Sequence, residues 1–258
     1  MNALRMITAT ALTVSLASMA HADTVIAFED FSGTGVELDG TAPDIGIGTG
    51  NWDSGLGIFT DAGSIIGADG TNNGGAATRE GSAVLDFTPQ NGTIYELEAT
   101  ITNTGSAWVA IGFSDTKNKL SGSNGRVSNG TSDFGGYAWM FTADGRQAAF
   151  SGIGTANKYA TEATADNTVP VTLKIVLDTT GGEGAWTAEY FVNGTTLGPE
   201  ATLIAGASSI SHVAISRDIN TGAPAASISS FSLTEVPEPS SLALLGLGGL
   251  ALMRRRRD

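Results

Sequence analysis

The chain has 258 residues and a formal net charge of −13, because 26 aspartates and glutamates outnumber 13 lysines and arginines. It contains no cysteine, which excludes disulfide bonds and thiolate metal sites. An acidic surface repels nucleic acids and anionic lipids, since both bind basic patches, so we expect no nucleic-acid partner.

Residues 1–22 have the features of a secretory signal peptide. Arg5 precedes a moderately apolar run over residues 6–19, and Ala20-His21-Ala22 offers the small residues of a cleavage site. We therefore expect a signal helix that directs the chain to the Sec export machinery and is removed after Ala22. A buried N-terminal helix is the alternative.

Residues 23–235 are predicted to form one β-domain. Glycine, threonine, serine and asparagine are abundant, whereas the lysine, glutamate, glutamine and leucine that build surface helices are few. About 210 residues are enough for a single hydrophobic core. In chain order we expect strands at residues 24–31, 56–60, 64–67 and 82–88, and a long loop over residues 32–53 that holds one short strand.

The clearest strand signal is the alternation over residues 93–102. Apolar residues occupy every second position from Tyr95 to Ile101, whereas Glu96 and Glu98 occupy the opposite face. Farther along, Asn193-Gly194 tolerates the positive φ angles of a type I′ turn and predicts a chain reversal. The remaining strands are expected at residues 109–113, 136–142, 146–151, 171–178, 186–192, 195–197, 210–217 and 226–235.

Short strands with a turn about every ten residues indicate an all-β, antiparallel β-sandwich. Residues 171–178 and 186–194, followed by Leu197-Gly198, resemble the later strands of a concanavalin-like or laminin-G-like jelly roll, and the resemblance extends over about residues 94–233. It implies a jelly-roll fold and leaves the function open, because one fold hosts many activities.

Glu96 and Glu98 are the candidate catalytic residues. They lie two apart on one face of a strand, and the carboxyl groups of retaining glycosidases lie about 5 to 5.5 Å apart. Concanavalin-like glycosidases typically show Glu-x-Asp-x-Glu, but here Ala99-Thr100 follows and the third carboxylate is missing. We therefore expect solvated glutamates on a non-catalytic protein. A secreted glycoside hydrolase or lyase is the alternative function.

His212 is the only histidine beyond the signal peptide, so a serine triad would have a single possible base. In its strand it alternates with Val213 and Ile215. We therefore predict that its side chain faces solvent.

The four tryptophans, Trp52, Trp108, Trp139 and Trp186, are candidates for stacking on sugar rings. Trp186 shares the phase of Tyr190 and is predicted to lie in the core. Trp108 is out of phase with the apolar residues of its strand, and Trp139 lies in the alternate phase with Tyr137 and Phe141. They are therefore the candidate ligand-binding residues.

A metal site is possible in the loop that begins at Asp69, where Asn72 and Asn73 add oxygen ligands of the kind that calcium prefers. The EF-hand spacing is not met, because no glutamate stands at the required end position. A plain turn is the alternative.

The C-terminal segment combines three features in a fixed order. The two prolines of Val236-Pro237-Glu238-Pro239 disfavour a helix across this motif. We therefore expect a helix that begins after it and comprises the apolar residues 240–253. A helix of about 14 residues, which rises about 1.5 Å per residue, is about 21 Å long. This is short for the hydrocarbon layer of a membrane, which is about 30 Å thick. Arg254, Arg255, Arg256 and Arg257 follow and are expected to stay cytoplasmic.

This segment, residues 236–258, resembles the PEP-CTERM sorting signal of Gram-negative bacteria. The resemblance implies recognition by an exosortase, a membrane enzyme similar to transpeptidases. Members of the family are typically exported to the cell surface or extracellular matrix, often in organisms that make exopolysaccharide. The expected body is thus a surface protein that binds polysaccharide, held in the membrane transiently or permanently by its C-terminal helix. An ordinary C-terminal anchor is the alternative.

Overall fold

The computed structural model describes residues 22–54, 60–63, 80–103, 108–115, 136–143, 145–151, 157–161, 169–203, 206–218 and 226–236. Residues Asp23–Pro237 form one compact unit. The predicted helix at residues 240–253 and the predicted strand at 64–67 lie outside the described residues. So do all but the last residue of the predicted helix at 1–22 and all but the last residue of the predicted strand at 56–60. Among the described residues, no helix is long and apolar enough to cross a membrane.

The described part of the chain is built from short strands and one 3-10 turn, Ala207–Ser209. Every strand pair that it contains is antiparallel. The strands are β1 (Thr24–Glu29), β2 (Ile45–Gly46), β3 (Asp53–Ser54), β4 (Glu80–Asp86), β5 (Ile94–Asn103), β6 (Trp108–Ser114), β7 (Gly136–Ala143), β8 (Arg146–Ser151), β9 (Asn157–Ala160), β10 (Val171–Asp178), β11 (Thr187–Val192), β12 (Thr195–Thr196), β13 (Ala201–Thr202), β14 (His212–Asp218) and β15 (Ala226–Val236).

Sheet one follows the order β12-β11-β10-β5-β15-β1-β2, and β13 also pairs with β11. The alternation predicted from the sequence is confirmed in β5, where every second residue from Tyr95 to Ile101 is buried. The same period places Leu173, Ile175 and Leu177 of β10 in the core. Each such side chain contributes about 1.5 to 3 kcal/mol by leaving water.

Sheet two follows the order β3-β4-β14-β6-β7-β8-β9. Its inward residues include Ile111, Met140 and Ile215, which join Leu97 and Ile175 of sheet one in a single hydrophobic cluster. The two antiparallel sheets therefore pack face to face around one core, as the all-β prediction required.

The turn at Asn193-Gly194 adopts the conformation that the sequence predicts. The φ angles are +50° at Asn193 and +75° at Gly194, and the flanking residues Val192 and Thr195 pair across the hairpin. Positive φ at both central positions is the condition for a type I′ turn.

The long loop predicted over residues 32–53 holds the short strand that was expected, and it also contributes core residues that were not expected. Its residues Ile45 and Gly46 pair with β1, and Leu38 and Trp52 are buried. Trp52 is 1% exposed and packs edge-to-face on Phe231, with the ring centroids 5.2 Å apart. Trp52 is therefore a core residue and is unable to stack on a sugar, because its ring is buried.

The two ends of the compact unit meet in sheet one. The last strand, β15, lies between β5 and β1, so it is inserted into the sheet rather than added at an edge. Thr24 pairs with Glu235, and Val236 pairs with Ile94. The first described strand thus begins at the end of the sandwich where the last one finishes.

Candidate functional site

A pocket of about 650 Å³ opens at this end of the sandwich. It lies where β1, β5 and β14 begin and where β4 and β15 end, so five strands from both sheets contribute to its wall. The loops between β2 and β3 and between β4 and β5 supply most of the rest. The lining residues that bear on its chemistry are Thr24, Ile47, Thr49, Asp86, Gln90, Tyr95, His212 and Glu235.

A histidine and an aspartate face each other in the pocket. His212 lies beside Asp86 in the register of β14 and β4, and its Nε2 is 3.3 Å from Asp86 Oδ1. Its Nδ1 lies 2.7 Å from Ser211 Oγ, so both ring nitrogens have polar neighbours. The imidazole is thereby held in one orientation.

The prediction that His212 faces solvent is wrong. The residue alternates with Val213 as expected, yet it is only 8% exposed. Chain segments distant in sequence form the pocket wall around it, and strand periodicity carries no information about them.

Three further groups give the pocket both polar and apolar surface. Ile47 is 60% exposed and gives the pocket its apolar surface. Tyr95 Oη accepts a hydrogen bond of 2.9 Å from Gln90 N. The hydroxyl oxygen of Thr49 is buried and has no hydrogen-bond partner. Hydroxyl and carboxylate oxygens beside an aliphatic wall suit a ligand that carries many hydroxyl groups on a carbon ring.

Glu96 and Glu98, the candidate catalytic residues, lie elsewhere, on the outer face of sheet one. Lys174 Nζ contacts both carboxylate oxygens of Glu96 at 3.3 Å and lies directly opposite Glu98 in the register. The lysine also lies 5.0 Å from the centre of the Phe191 ring. Neither glutamate lines the pocket, so their contacts are those of a polar sheet surface.

Trp139 belongs to a second, smaller cluster on the outer face of sheet two, with Phe150 and small residues of the neighbouring strands. Its ring stacks on Phe150 with centroids 3.8 Å apart and planes 5° from parallel, and Trp139 is 4% exposed. Trp108 pairs with Asp218 through the β6 backbone, and its side chain lies outside what the structure describes. Trp139 is therefore not part of the pocket.

Trp186 lies in the main core, as its phase predicted. Its Nε1 donates a hydrogen bond of 2.9 Å to Asn91 Oδ1, which satisfies its only polar atom.

The predicted metal ligands Asp69, Asn72 and Asn73 lie outside the described residues. A different group, Glu29, Asp30 and Asp44, brings carboxylate oxygens within 4.8 Å of one another. Three carboxylates at such distances suit a hard cation such as calcium, and exposed acidic groups also occur together without one. No local pattern in the sequence indicates this group, because the pairing of β1 with β2 brings Asp44 to the end of β1.

Two of these carboxylates, Glu29 and Asp30, differ in burial and in the direction of their pKa shift. Burial raises the pKa of Glu29, and the charges of Asp44 and Asp30 raise it further, while hydrogen bonds from Phe31 N and Trp52 Nε1 oppose the change. The exposed Asp30 instead has a lowered pKa, because Ser32 donates to its carboxylate. Glu29 is thus the buried acid that resists ionisation.

Comparison with known proteins identifies the C-terminal segment. Residues 235–257 match the family model of the PEP-CTERM protein-sorting motif. No curated protein sequence matches the chain significantly.

Several solved structures are similar to the sandwich. The metal-free carbohydrate recognition domain of Emp46p is 13% identical, with a TM-score of 0.46 over 70% of this chain and 87% of that one. The Ca²⁺- and mannose-bound exoplasmic domain of VIP36 is 10% identical, with a TM-score of 0.41 over 73% and 85%. Sheep galectin-11 in complex with glycerol is 10% identical, with a TM-score of 0.36 over 58% and 95%. Of these comparisons, the family match alone identifies a part of this chain: residues 235–257 are a PEP-CTERM sorting motif, as their sequence predicted.

Proposed function

We propose that this chain is an exported bacterial surface or extracellular-matrix protein that an exosortase sorts through residues 236–258. The sorting motif is the observation that carries the proposal. In this proposal residues 1–22 are a signal peptide read by the Sec machinery, and residues 23–235 are the exported domain. The apolar residues 240–253 hold the chain in the membrane before or after processing.

The exported domain, in this proposal, binds polysaccharide in the pocket at the end of the sandwich and does not catalyse a reaction. Asp86 and Glu235 offer carboxylate oxygens to sugar hydroxyl groups, and such charge-assisted hydrogen bonds are the stronger kind. Ile47 offers apolar surface to the C–H face of a sugar ring. The pocket gives no role to Glu96 or Glu98, which lie on another face, where Glu96 pairs with Lys174.

The charge of the pocket selects among glycans. Asp86 and Glu235 are acidic, His212 is its only basic side chain among the described residues, and the whole chain carries −13. Acidic polysaccharides would be repelled, since like charges meet in a partly dry site. Neutral polysaccharide is therefore the ligand class that we propose.

Localisation tests the sorting half of the proposal. The full chain, tagged after residue 23, would be expressed in a bacterium that has an exosortase, beside a version that ends at Val236. We expect the full chain at the cell surface or in the matrix, and the truncated chain to be exported without being retained. Retention of both forms in the cytosol would overturn the proposal.

Binding to polysaccharide tests the other half. The neutral and acidic fractions of the exopolysaccharide of that bacterium would be sedimented with the processed protein, and reducing-sugar release would be followed in parallel. We expect Asp86→Asn to weaken binding to the neutral fraction about tenfold, the equivalent of one charged hydrogen bond. The control Glu98→Gln should bind like the wild type. Sugar release that Glu98→Gln abolishes would instead support the glycoside hydrolase or lyase alternative.

A further inference from the structure

Three polar side chains lie in a row at one side of the pocket. Ser211 immediately precedes β14, His212 is the first residue of that strand, and Asp86 is the register partner of His212 at the end of β4. Ser211 Oγ lies 2.7 Å from His212 Nδ1, and Asp86 Oδ1 lies 3.3 Å from His212 Nε2. All three residues line the pocket. The side chain of His212 is 10% exposed and that of Asp86 is 64% exposed, so the carboxylate meets solvent or a ligand while the imidazole supports it from behind.

The chemistry of these groups fixes where the hydrogens lie when the imidazole is neutral. A carboxylate only accepts hydrogen bonds, so the ring hydrogen belongs on Nε2, which faces Asp86. A neutral imidazole carries one ring hydrogen, so Nδ1 is an acceptor and Ser211 donates its hydroxyl hydrogen to it. The oxygen of Ser211 then presents lone pairs to the pocket.

We infer that His212 is a positioning residue that makes this row of the pocket selective for ligand groups that donate hydrogen bonds. The neutral imidazole orients the carboxylate of Asp86 and keeps the hydroxyl hydrogen of Ser211 turned away from the ligand. Asp86 and Ser211 therefore both accept hydrogen bonds from the ligand. A free sugar hydroxyl can donate to them, whereas a methylated one cannot. The inference rests on the proposed binding of neutral polysaccharide and names the groups that this ligand must carry.

Protonation of His212 reverses part of this preference. An imidazole ordinarily changes charge at about pH 6.5, and the imidazolium donates through both ring nitrogens. Ser211 then accepts from Nδ1 and turns its own hydrogen toward the ligand. Asp86 is at the same time paired with a full positive charge, so it becomes a weaker acceptor for sugar hydroxyl groups.

Few other titratable side chains lie near the imidazole in the part of the chain that the structure describes. Glu235 and Tyr95 of sheet one line the same pocket. On β6, the register partner of His212 is the neutral Ser114, and the next residue is Asp115. A variant that keeps these groups and lacks the imidazole therefore isolates the titration of His212.

The position of the ring hydrogen is the first test, and it needs no ligand. The processed protein contains a single histidine, so histidine-selective ¹⁵N labelling of protein without a histidine tag reports on His212 alone in NMR spectra. At about pH 8 we expect the hydrogen on Nε2. A hydrogen on Nδ1 would overturn the inference, because Nε2 would have nothing to donate to Asp86 and Ser211 would not be the donor.

Two substitutions of His212 separate positioning from packing. His212→Ala leaves Asp86 without its support, whereas the amide nitrogen of His212→Gln takes the place of Nε2, donates to Asp86 and does not titrate. At about pH 8 we expect His212→Ala to bind the neutral polysaccharide fraction about fivefold more weakly than the wild type, and His212→Gln to recover most of this loss. Equally weak binding by the two variants, with circular dichroism showing that both are folded, would contradict the inference.

The pH dependence tests the preference for donating groups. The ligands are the neutral fraction and the same fraction after partial O-methylation, which replaces donors by acceptors. The ratio of the two affinities should fall about threefold in the wild type between about pH 8 and about pH 5.5, and it should stay constant in His212→Gln. A ratio that behaves alike in the two proteins would sink the inference. If the wild type binds neither ligand at either pH, the proposed function has failed, and the position of the ring hydrogen still decides the role of His212.

Discussion

The two outer faces of the sandwich are built from the same kind of strand and differ in what they carry. The outer face of sheet one presents threonines, serines, Glu96, Glu98 and Lys174, all partly exposed. The outer face of sheet two presents buried residues, with Trp139 and Phe150 stacked beside small side chains. Alternation predicts which residues point outward. It does not predict whether the outward face meets water, and this difference separates a polar surface from a second apolar cluster.

The largest expected effect comes from emptying the second cluster. We expect Trp139→Ala to lower the free energy of unfolding by about 3 to 5 kcal/mol, because it removes a large ring packed on Phe150 and Phe141. The matched change on sheet one is Phe191→Ala, which removes a half-buried ring beneath Lys174 and should cost about 1 kcal/mol. Urea denaturation of the processed protein measures both.

The same pair of variants decides the role of Trp139. If Trp139→Ala leaves stability unchanged and removes polysaccharide binding, the residue binds ligand and the cluster opens in solution. If Trp139→Ala destabilises the protein but the folded fraction binds polysaccharide as the wild type does, the ring of Trp139 stabilises the fold and does not contact the ligand.

A smaller contrast is expected for hydroxyl groups that face each other across neighbouring strands. Ser82 and Ser216 hydrogen bond through their Oγ atoms in the buried face of sheet two. On sheet one, Thr100 and Thr172 make a similar contact of 3.2 Å that is only part-buried. Ser216→Ala should cost about 1 to 2 kcal/mol, and Thr172→Val less than about 0.5 kcal/mol, since water replaces the lost partner only on the open face. Equal costs by thermal denaturation would mean that the two faces are equally wet.

The sequence predicts the parts of this fold that depend on local period. β5, β10 and the Asn193-Gly194 turn follow from alternation and from allowed φ angles. Leu38 and Trp52 could not be assigned to the core, because they lie in a stretch with no period and are held by pairing with distant strands. The His212 pocket has the same origin, since its walls come from five separate chain segments. The sorting motif was predicted in full, because it is read in linear order.

A third prediction concerns Glu29, the buried carboxylic acid at the end of β1 in sheet one. The pKa of Glu29 is raised by its burial, so the folded chain binds this proton more tightly than the unfolded chain. Its contribution to stability is present below its ordinary pKa of 4.5 and is lost as the pH rises through the raised value. Glu29→Gln should therefore gain stability relative to the wild type as the pH rises through this window. Melting temperatures at a series of pH values measure the difference. If the difference in melting temperature between variant and wild type does not change with pH, the prediction is wrong. If it changes with pH as expected but is shifted by the same amount at every pH, the shift measures the weakened contact with Trp52 Nε1.

The smallest effect is expected from the ion pair of Lys174 and Glu96 on the open face of sheet one. The Nζ to Oε distance is 3.3 Å, and both side chains are partly exposed. Such a pair contributes about 0.2 to 1 kcal/mol, because water solvates both charges when they separate. A double-mutant cycle with Lys174→Met and Glu96→Gln should therefore give a coupling energy below about 1 kcal/mol, and salt should reduce it. A coupling of several kcal/mol that resists salt would mean that this face is covered in solution. The contrast with sheet two would then disappear, and Glu96 and Glu98 would have to be reconsidered as parts of an enclosed site.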